Sequence, residues 1–206
     1  MSASTYRVIA AITKCQRQHV YDIRRTAFSQ AGVELASTSG DDKYDADDNS
    51  TSYLLYQEDR PVGTLRASIY ASELQWRRVP AMDFFMPAIT QSFHNDDPMV
   101  QSSQFAILPP GRSKTWLPNA SLFQILVDTA SRYEAHWIIS IIRDRPSQLK
   151  FYGRLGFRPI SSPQWFPPVN RMCVLMCAPI DTFAQWTLQH RLRHQPPPPE
   201  LLPGIS

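Results

Sequence analysis

Glycine is scarce in this chain, with 7 among 206 residues, too few for the repeated Gly loops that cradle nucleotide phosphates at a helix N-terminus. Cysteine is scarcer still, with 3. The odd count, and the distance from Cys15 to the Cys173/Cys177 pair, argue against a disulfide framework and for a reduced, cytoplasmic protein. Long apolar runs are missing: none reaches the ~18 residues that span a bilayer, and residues 8–12 are too short for a secretory core. No transmembrane segment is therefore expected. Charge of one sign is missing as well. The formal net charge is +3 and the pI near 8.8, without the clustered basic bias of a nucleic-acid binder, so nucleic acid is not an expected partner. What is plentiful is apolar residues, 43%, enough for one buried core at this length.

Hydrophobic periodicity and turn residues divide the chain. A strand is expected at 6–11, then a helix at 14–31, where Val20, Ile23, Ala27 and Ala31 recur at helical spacing and Gly32 stops it. Residues 36–52 read as an acidic polar loop holding Asp41, Asp42, Asp45, Asp47 and Asp48. Strands at 53–57 and 62–69 flank Glu58-Asp59-Arg60-Pro61, a hairpin by composition. Residues 71–99 read as irregular, with a helical turn around 82–89. A strand at 100–108 ends at Pro109-Pro110-Gly111, and an amphipathic helix follows at 119–133 with Asn119 as its N-cap. The run Trp137-Ile138-Ile139-Ser140-Ile141-Ile142 is a buried strand, leading to a short helix at 146–155 opened by Pro146 and closed by Gly156. Strands are expected near 158–160 and 172–178. The tail, Gln195-Pro196-Pro197-Pro198-Pro199-Glu200 onward, cannot build a core and is expected to be disordered. Mixed strands and helices of this kind make one α/β domain with a central sheet flanked by helices.

The strand, loop, short helix and Gly stop at 137–157 close on Phe151-Tyr152-Gly153-Arg154-Leu155-Gly156-Phe157. That order resembles the signature of the GNAT superfamily of N-acyltransferases. The resemblance implies a GNAT-like (acyl-CoA N-acyltransferase) domain over 1–180, with 181–194 a C-terminal helix or extension and 195–206 the Pro-rich tail. It also makes Tyr152 the candidate general acid that protonates the leaving thiolate, against the plainer reading of a tyrosine packed on a sheet.

A second resemblance lies in the first third. Tyr21-Asp22-Ile23-Arg24-Arg25-Thr26-Ala27-Phe28, Asp42-Lys43-Tyr44-Asp45, Tyr53-Leu54-Leu55 and Val62-Gly63-Thr64-Leu65-Arg66 resemble the long-chain N-acyl amino acid synthases and the acyl-homoserine lactone synthases. Arg24, Phe28, Asp42, Asp45 and Arg66 match their pattern and are the candidate substrate-binding residues. The tryptophan expected after the phenylalanine is replaced by Val33 or a neighbour. Gln101-Ser102-Ser103-Gln104-Phe105 stands where these families show Glu-x-Ser-Arg-Phe. Gln101, Gln104 and Phe105 therefore join the candidate site, while the two amides put lactone synthesis, and any carboxylate base at 101, in doubt. The resemblance implies transfer of an acyl chain from acyl carrier protein to the amine of an amino acid or related small amine. The alternatives are a lactone synthase using S-adenosylmethionine, a CoA-dependent acetyltransferase, or a degenerate, non-catalytic binding module.

Residue chemistry supports the same site. Arg24 and Phe28 are four apart on one helix and share a face. Asp42, Asp45 and Arg66 are placed to form an ion network with Arg24, either structural or catalytic. Carboxylates hold an ammonium, and an arginine holds a carboxylate bidentately. Acyl transfer also needs backbone N–H groups at the developing oxyanion, expected from strand 100–108. At the donor end, the CoA-cradling Gly loop is reduced to Pro109-Pro110-Gly111-Arg112-Ser113-Lys114-Thr115. That suits acyl-phosphopantetheine on acyl carrier protein, with acyl-CoA the alternative donor and no tightly bound cofactor. Gly111, Arg112, Lys114, Arg143, Arg145 and Lys150, with Arg154, are the candidate contacts to the acidic carrier. Cys173, Cys177, His190 and His194 have loose zinc-finger spacing, but a strand-like Val174-Leu175-Met176 between the thiols reads as core, so no metal is expected.

Overall fold

A computed structural model describes residues 5–34, 37–71, 79–94, 97–109 and 116–192. The elements are β1 (Tyr6–Ala10), α1 (Lys14–Gln30), β2 (Ser50–Gln57), β3 (Arg60–Tyr70), α2 (Met82–Ser92), β4 (Met99–Ile107), α3 (Leu117–Arg132), β5 (Trp137–Arg143), α4 (Pro146–Arg154), β6 (Arg158–Pro159), β7 (Gln164–Phe166), β8 (Arg171–Pro179) and α5 (Ile180–Leu192). One mixed sheet runs β1-β2-β3-β4-β5-β8-β6, with β7 also on β8. Among the described residues, only β4 and β5 pair in parallel.

Strand alternation sends side chains to two cores. On β8, Val174, Met176 and Ala178 join the cluster under α3 and α5, while Cys173, Leu175 and Cys177 join the one under α2. A third cluster seats α1 on the same side as α2, through Val20, Ile23 and Ala27 against Leu54 and Ala106. At the start of α1, the Thr13 hydroxyl accepts from the Gln16 N–H and the Gln16 carbonyl accepts from the Thr13 N–H, a capping box.

The feature that makes a site is a split in the sheet. β4 and β5 pair only from Met99↔Trp137 to Ser102↔Ser140. Beyond that, β4 stays with β3 as far as Ile107 and β5 stays with β8 as far as Arg143. The β3–β4 register shifts between Thr64 and Arg66, and Gln104 takes φ +53° there. An extra residue of this kind bends its strand and sharpens the local twist, which turns β4 away from β5.

Several boundaries depart from the sequence reading. β2 starts at Ser50, where it pairs with Ser68, and β3 starts at Arg60, because the two-residue turn Glu58-Asp59, with Glu58 at φ +55°, lets the ladder continue to Gln57↔Arg60. The stretch read as irregular contains α2, which tolerates Pro87 because Phe85 (φ −121°, ψ 21°) kinks the helix just before it. α3 begins at Leu117, so Asn119 lies inside its first turn and is not the N-cap; Trp116 caps it without a side-chain bond. β7 was not anticipated. Of helix or extension after 180, the structure shows the helix α5. The tail from 195 lies outside the described residues.

Candidate active site

One pole of the site is an ion network beneath β3 and β4. Asp42 caps a 3-10 turn, Lys43–Ala46, and Asp45 in that turn accepts back from the Asp42 N–H at 2.9 Å. This self-capped turn aims both carboxylates at two arginines. Arg24 on α1 donates from Nη1 and Nη2 to the two Asp45 oxygens at 2.6 and 3.1 Å, and from Nη2 to the Ser52 hydroxyl at 2.9 Å. Arg66 on β3 donates to Asp45 at 3.2 Å, to Asp42 at 3.3 Å and to the Ser103 hydroxyl at 3.0 Å. The Gln104 amide completes the set, donating to Asp42 at 2.7 Å. Arg24 and Arg66 are fully buried and Asp45 nearly so, whereas Asp42 reaches solvent with 17% of its side chain. Burial pushes the Asp45 carboxyl upward, but the two guanidiniums and their hydrogen bonds outweigh it and hold the group below the ordinary value.

The other pole is Tyr152. α4 ends in a Schellman motif: the Phe157 N–H donates to the Tyr152 carbonyl at 3.1 Å, and the Gly156 N–H to the Gly153 carbonyl at 3.1 Å. Gly156 sits at φ +90°, and a Cβ there would come within 2.6 Å of Thr182. The Phe157 ring meets the Tyr152 ring edge-on at 5.4 Å between centroids. Phe-Tyr-x-x-Leu-Gly-Phe is thus a device that locks one phenol in place. Burial pushes its hydroxyl up to about 12, offset in part by a hydrogen bond with the Ser140 hydroxyl. Ser140 itself donates to the Ser102 carbonyl at 2.9 Å, across the last paired rung before the split.

A cavity of about 1160 Å³ connects the poles through the split. Asp41, Asp42, Tyr44, Arg66 and Gln104 line one end, Trp116, Phe151 and Tyr152 the other, and Phe84, Ile141, Phe166 and Val169 give it an apolar wall. Asp41 accepts from the Ser37 and Ser39 hydroxyls, which hold its carboxyl below the usual value and so ionised.

Of the residues singled out from sequence, Phe28, Asp42, Arg66, Gln101, Gln104, Phe105, Arg143 and Tyr152 all line this cavity. Arg24 and Asp45 stand behind it as supports. The shared helix face does not bring the Arg24 guanidinium over Phe28; it lies over the Tyr21 ring, 5.9 Å from the centroid. Gln101 is fully buried, and its carbonyl accepts from the Ala81 N–H at 2.7 Å, which ties β4 to the start of α2. Arg145, Lys150 and Arg154 are exposed on α4 and its N-cap. Gly111, Arg112 and Lys114 lie outside the described residues. Cys173 and Cys177 pack under α2, whereas His190 stacks on Trp186 at 4.0 Å, and Trp186 packs on the opposite core; His194 lies outside the described residues. Among the described residues no helix is long and apolar enough to cross a membrane.

Sequence reading missed Ser140, although a lone hydroxyl in an otherwise apolar strand is a visible signal. Tyr44 and Phe84 carried none, because only the sheet split brings them to one space.

The comparisons agree with this architecture. The profile of the N-acyl amino acid synthase family FeeM matches residues 19–179. FeeM, an N-acyl amino acid synthase from uncultured soil microbes, superposes with a TM-score of 0.74 at 16% identity, over 92% of this chain and 98% of that one. BjaI, a CoA-dependent acyl-homoserine lactone synthase solved with SAM and isopentyl-CoA, gives 0.63 at 14%, over 90% and 89%. Naa50 of Arabidopsis thaliana, solved with a bisubstrate analogue of CoA and a peptide, gives 0.56 at 15%, over 84% and 97%. Similarity at these identities establishes the GNAT-like fold. No curated protein matches the chain.

Proposed function

This chain belongs to the FeeM family of N-acyl amino acid synthases and is an acyltransferase, and we propose that it moves an acyl chain from acyl carrier protein to the amine of an amino acid. The observation that carries the proposal is the cavity that joins a carboxylate-rich pole to the partly buried Tyr152 phenol through the split between β4 and β5.

In this reading the phosphopantetheine arm enters on the Tyr152 side and its thioester lies in the split. The acyl chain follows the apolar wall of Phe84, Ile141, Phe166 and Val169. Asp41 and Asp42 draw the ammonium of the acceptor, which gives up its proton to water at that open end. The free amine attacks the thioester carbon. The developing oxyanion is met by backbone N–H groups of β4 freed from pairing beside the bulge. The carbon–sulfur bond then breaks, the Tyr152 hydroxyl gives its proton to the thiolate, and the proton that the attacking nitrogen loses as the amide forms returns, through solvent in the cavity, to the phenolate. The phenol is protonated at neutral pH, so a proton is at hand for the thiolate, although burial, which raises it to about 12, makes it a weaker acid than a free tyrosine. With amides at 101 and 104, no carboxylate base stands at those positions. The acidic carrier protein would dock on Arg145, Lys150 and Arg154.

The test is to offer purified protein acyl carrier protein thioesters, acyl-CoA or both, with an amino acid pool, and to read products by mass spectrometry. Acyl-amide formation faster from the carrier than from CoA is the expected result. A preference for CoA would reassign the donor, and methylthioadenosine release from added S-adenosylmethionine would reassign the product to a lactone. No acyl-amide from any combination would overturn the proposal.

A further inference from the structure

An amino acid brings a carboxylate as well as an amine, and the cations of the cavity wall are not equally free to receive it. Lys43, Arg66 and Arg143 line the cavity. Lys43 is paired with Asp83 at 3.0 Å, and Arg66 is committed to Asp42, Asp45 and Ser103. Arg143 has no acidic partner among the described residues. Its recorded bond is a long one, from Nη1 to the Ala31 carbonyl at 3.4 Å. A guanidinium has five donors, so most of its capacity is unspent. Its surroundings add to the mismatch. It is partly buried, with Arg145 and Arg171 nearby, and all three effects disfavour its charge. A cation left this way in a cavity wall is a site waiting for an anion.

The side of the sheet identifies which anion. β5 alternates, sending Ile138 and Ile142 into the core under α3 and α5, and Ile139 and Ile141 toward the α2 core. Arg143 continues the second set, and it reaches the end of α1 on that side. Tyr152 packs on the first core, where the donor thiol is placed. The sheet therefore separates Arg143 from the proposed entry of the phosphopantetheine phosphate and puts it with the acceptor.

Resting on the amino acid reading above, we propose that Arg143 reads the carboxylate of the acceptor and so makes the enzyme select amino acids over plain amines. Arg171, which donates to the Gly32 carbonyl at 3.0 Å, braces the same helix end beside it. This moves Arg143 from carrier contact, its expected role, to acceptor recognition.

The experiment compares wild type, Arg143→Gln and Arg143→Lys on matched acceptors: a free amino acid and its carboxamide. Far-ultraviolet dichroism and melting temperature verify that the variants fold. Loss of a charge-assisted pair should raise KM for the amino acid about 10- to 100-fold in Arg143→Gln, with kcat and the KM of the acyl donor little changed. The amino acid/carboxamide preference should fall by the same factor, and Arg143→Lys should restore part of it. An unchanged preference in Arg143→Gln overturns the assignment while leaving acyl transfer to amines intact. So does a rise confined to the donor KM, which would return Arg143 to the carrier. If wild type acylates the carboxamide as well as the amino acid, the assignment also falls. If it acylates neither, the underlying reading falls with it. Calorimetric binding of the amino acid and its carboxamide, without any acyl donor, gives the same discrimination independently of turnover.

Discussion

The two poles of the cavity solve the problem of burying polar groups in opposite ways. Around Asp45, charge is dense and every ion has a partner: two guanidiniums, two carboxylates, two hydroxyls and one amide. Around Tyr152 no charge contributes, and burial alone raises the phenol, against one hydrogen bond with Ser140. The first arrangement gains rigidity through mutual compensation. The second leaves one group poised in a state that water would not enforce so strongly. A matched network is costly to break and poor at exchanging protons, whereas a lone desolvated acid is nearly irrelevant to folding and well suited to chemistry.

The sharpest way to break this contrast is Asp45→Ala. Removing Asp45 strands the Arg24 guanidinium and leaves Arg66 with Asp42 alone, which costs about 3–5 kcal/mol. At this chain length that lowers the melting temperature by on the order of 10 °C. Loss of activity in Asp45→Ala should follow loss of folded protein. A variant that melts like wild type but turns over a hundredfold slower would place Asp45 in the chemistry and dissolve the distinction between the poles.

Tyr152→Phe is the converse. The ring still meets Phe157 and Phe151, and only the proton donor goes. General acid catalysis is worth about 10²–10⁴-fold, and a thiolate leaves fairly well unaided, so kcat should fall about a hundredfold. The melting temperature should move by no more than the loss of one hydrogen bond allows, about 1 kcal/mol. Turnover within about threefold of wild type, well short of general-acid loss, would make Tyr152 structural.

Acid should dissect the Asp45 pole less drastically than the deletion, because a protonated carboxyl still accepts hydrogen bonds. Asp45 is held below its ordinary value. Its stabilisation is therefore fully present above the unfolded carboxylate pKa, about 3.9, and is lost as pH falls through the lower folded value. Urea midpoints measured from neutral pH down to about pH 3 should fall more steeply for wild type than for Asp45→Asn. Parallel slopes would mean that other carboxylates dominate acid unfolding.

The poles also differ in how far the sequence exposed them. Tyr152 was legible because its motif is local: Pro146 opens the helix, Gly156 ends it, and the Schellman bonds span only the six residues from Tyr152 to Phe157. Arg24, Asp42, Asp45 and Arg66 were legible as an ion network, but which carboxylate meets which guanidinium was not. Asp45 meets Arg24 because a 3-10 turn caps itself, and the sequence read that stretch as plain loop. The assembly of the apolar wall was hidden. Phe84 and Phe166 are far apart in the chain and meet at 4.8 Å only because α2 and the unread strand β7 converge on one face. Local motifs, in short range of their own turns, declare themselves; spaces made by diverging strands do not.

Gln104 joins the comparison at its smallest scale, since it stands on the bulge between the poles. It holds Asp42 through its amide and accepts a left-handed backbone at φ +53° to do so. Two substitutions separate these contributions. Gln104→Ala loses the bond but keeps the strain, which for a residue with a Cβ is about 1–2 kcal/mol. Gln104→Gly loses the bond and releases the strain. The glycine variant should therefore be the more stable of the two by about 1 kcal/mol in urea unfolding, despite the added freedom of its unfolded chain. Activity should order them the other way. A glycine lets the bulge relax, and the β4 N–H groups that would meet the oxyanion lose their fixed aim, so turnover should be lower in Gln104→Gly than in Gln104→Ala. Equal stabilities would mean that the bulge stores no strain. Equal turnover with unequal stabilities would mean that the strain serves only to tether Asp42, and that the oxyanion donors are positioned by the β3 ladder instead.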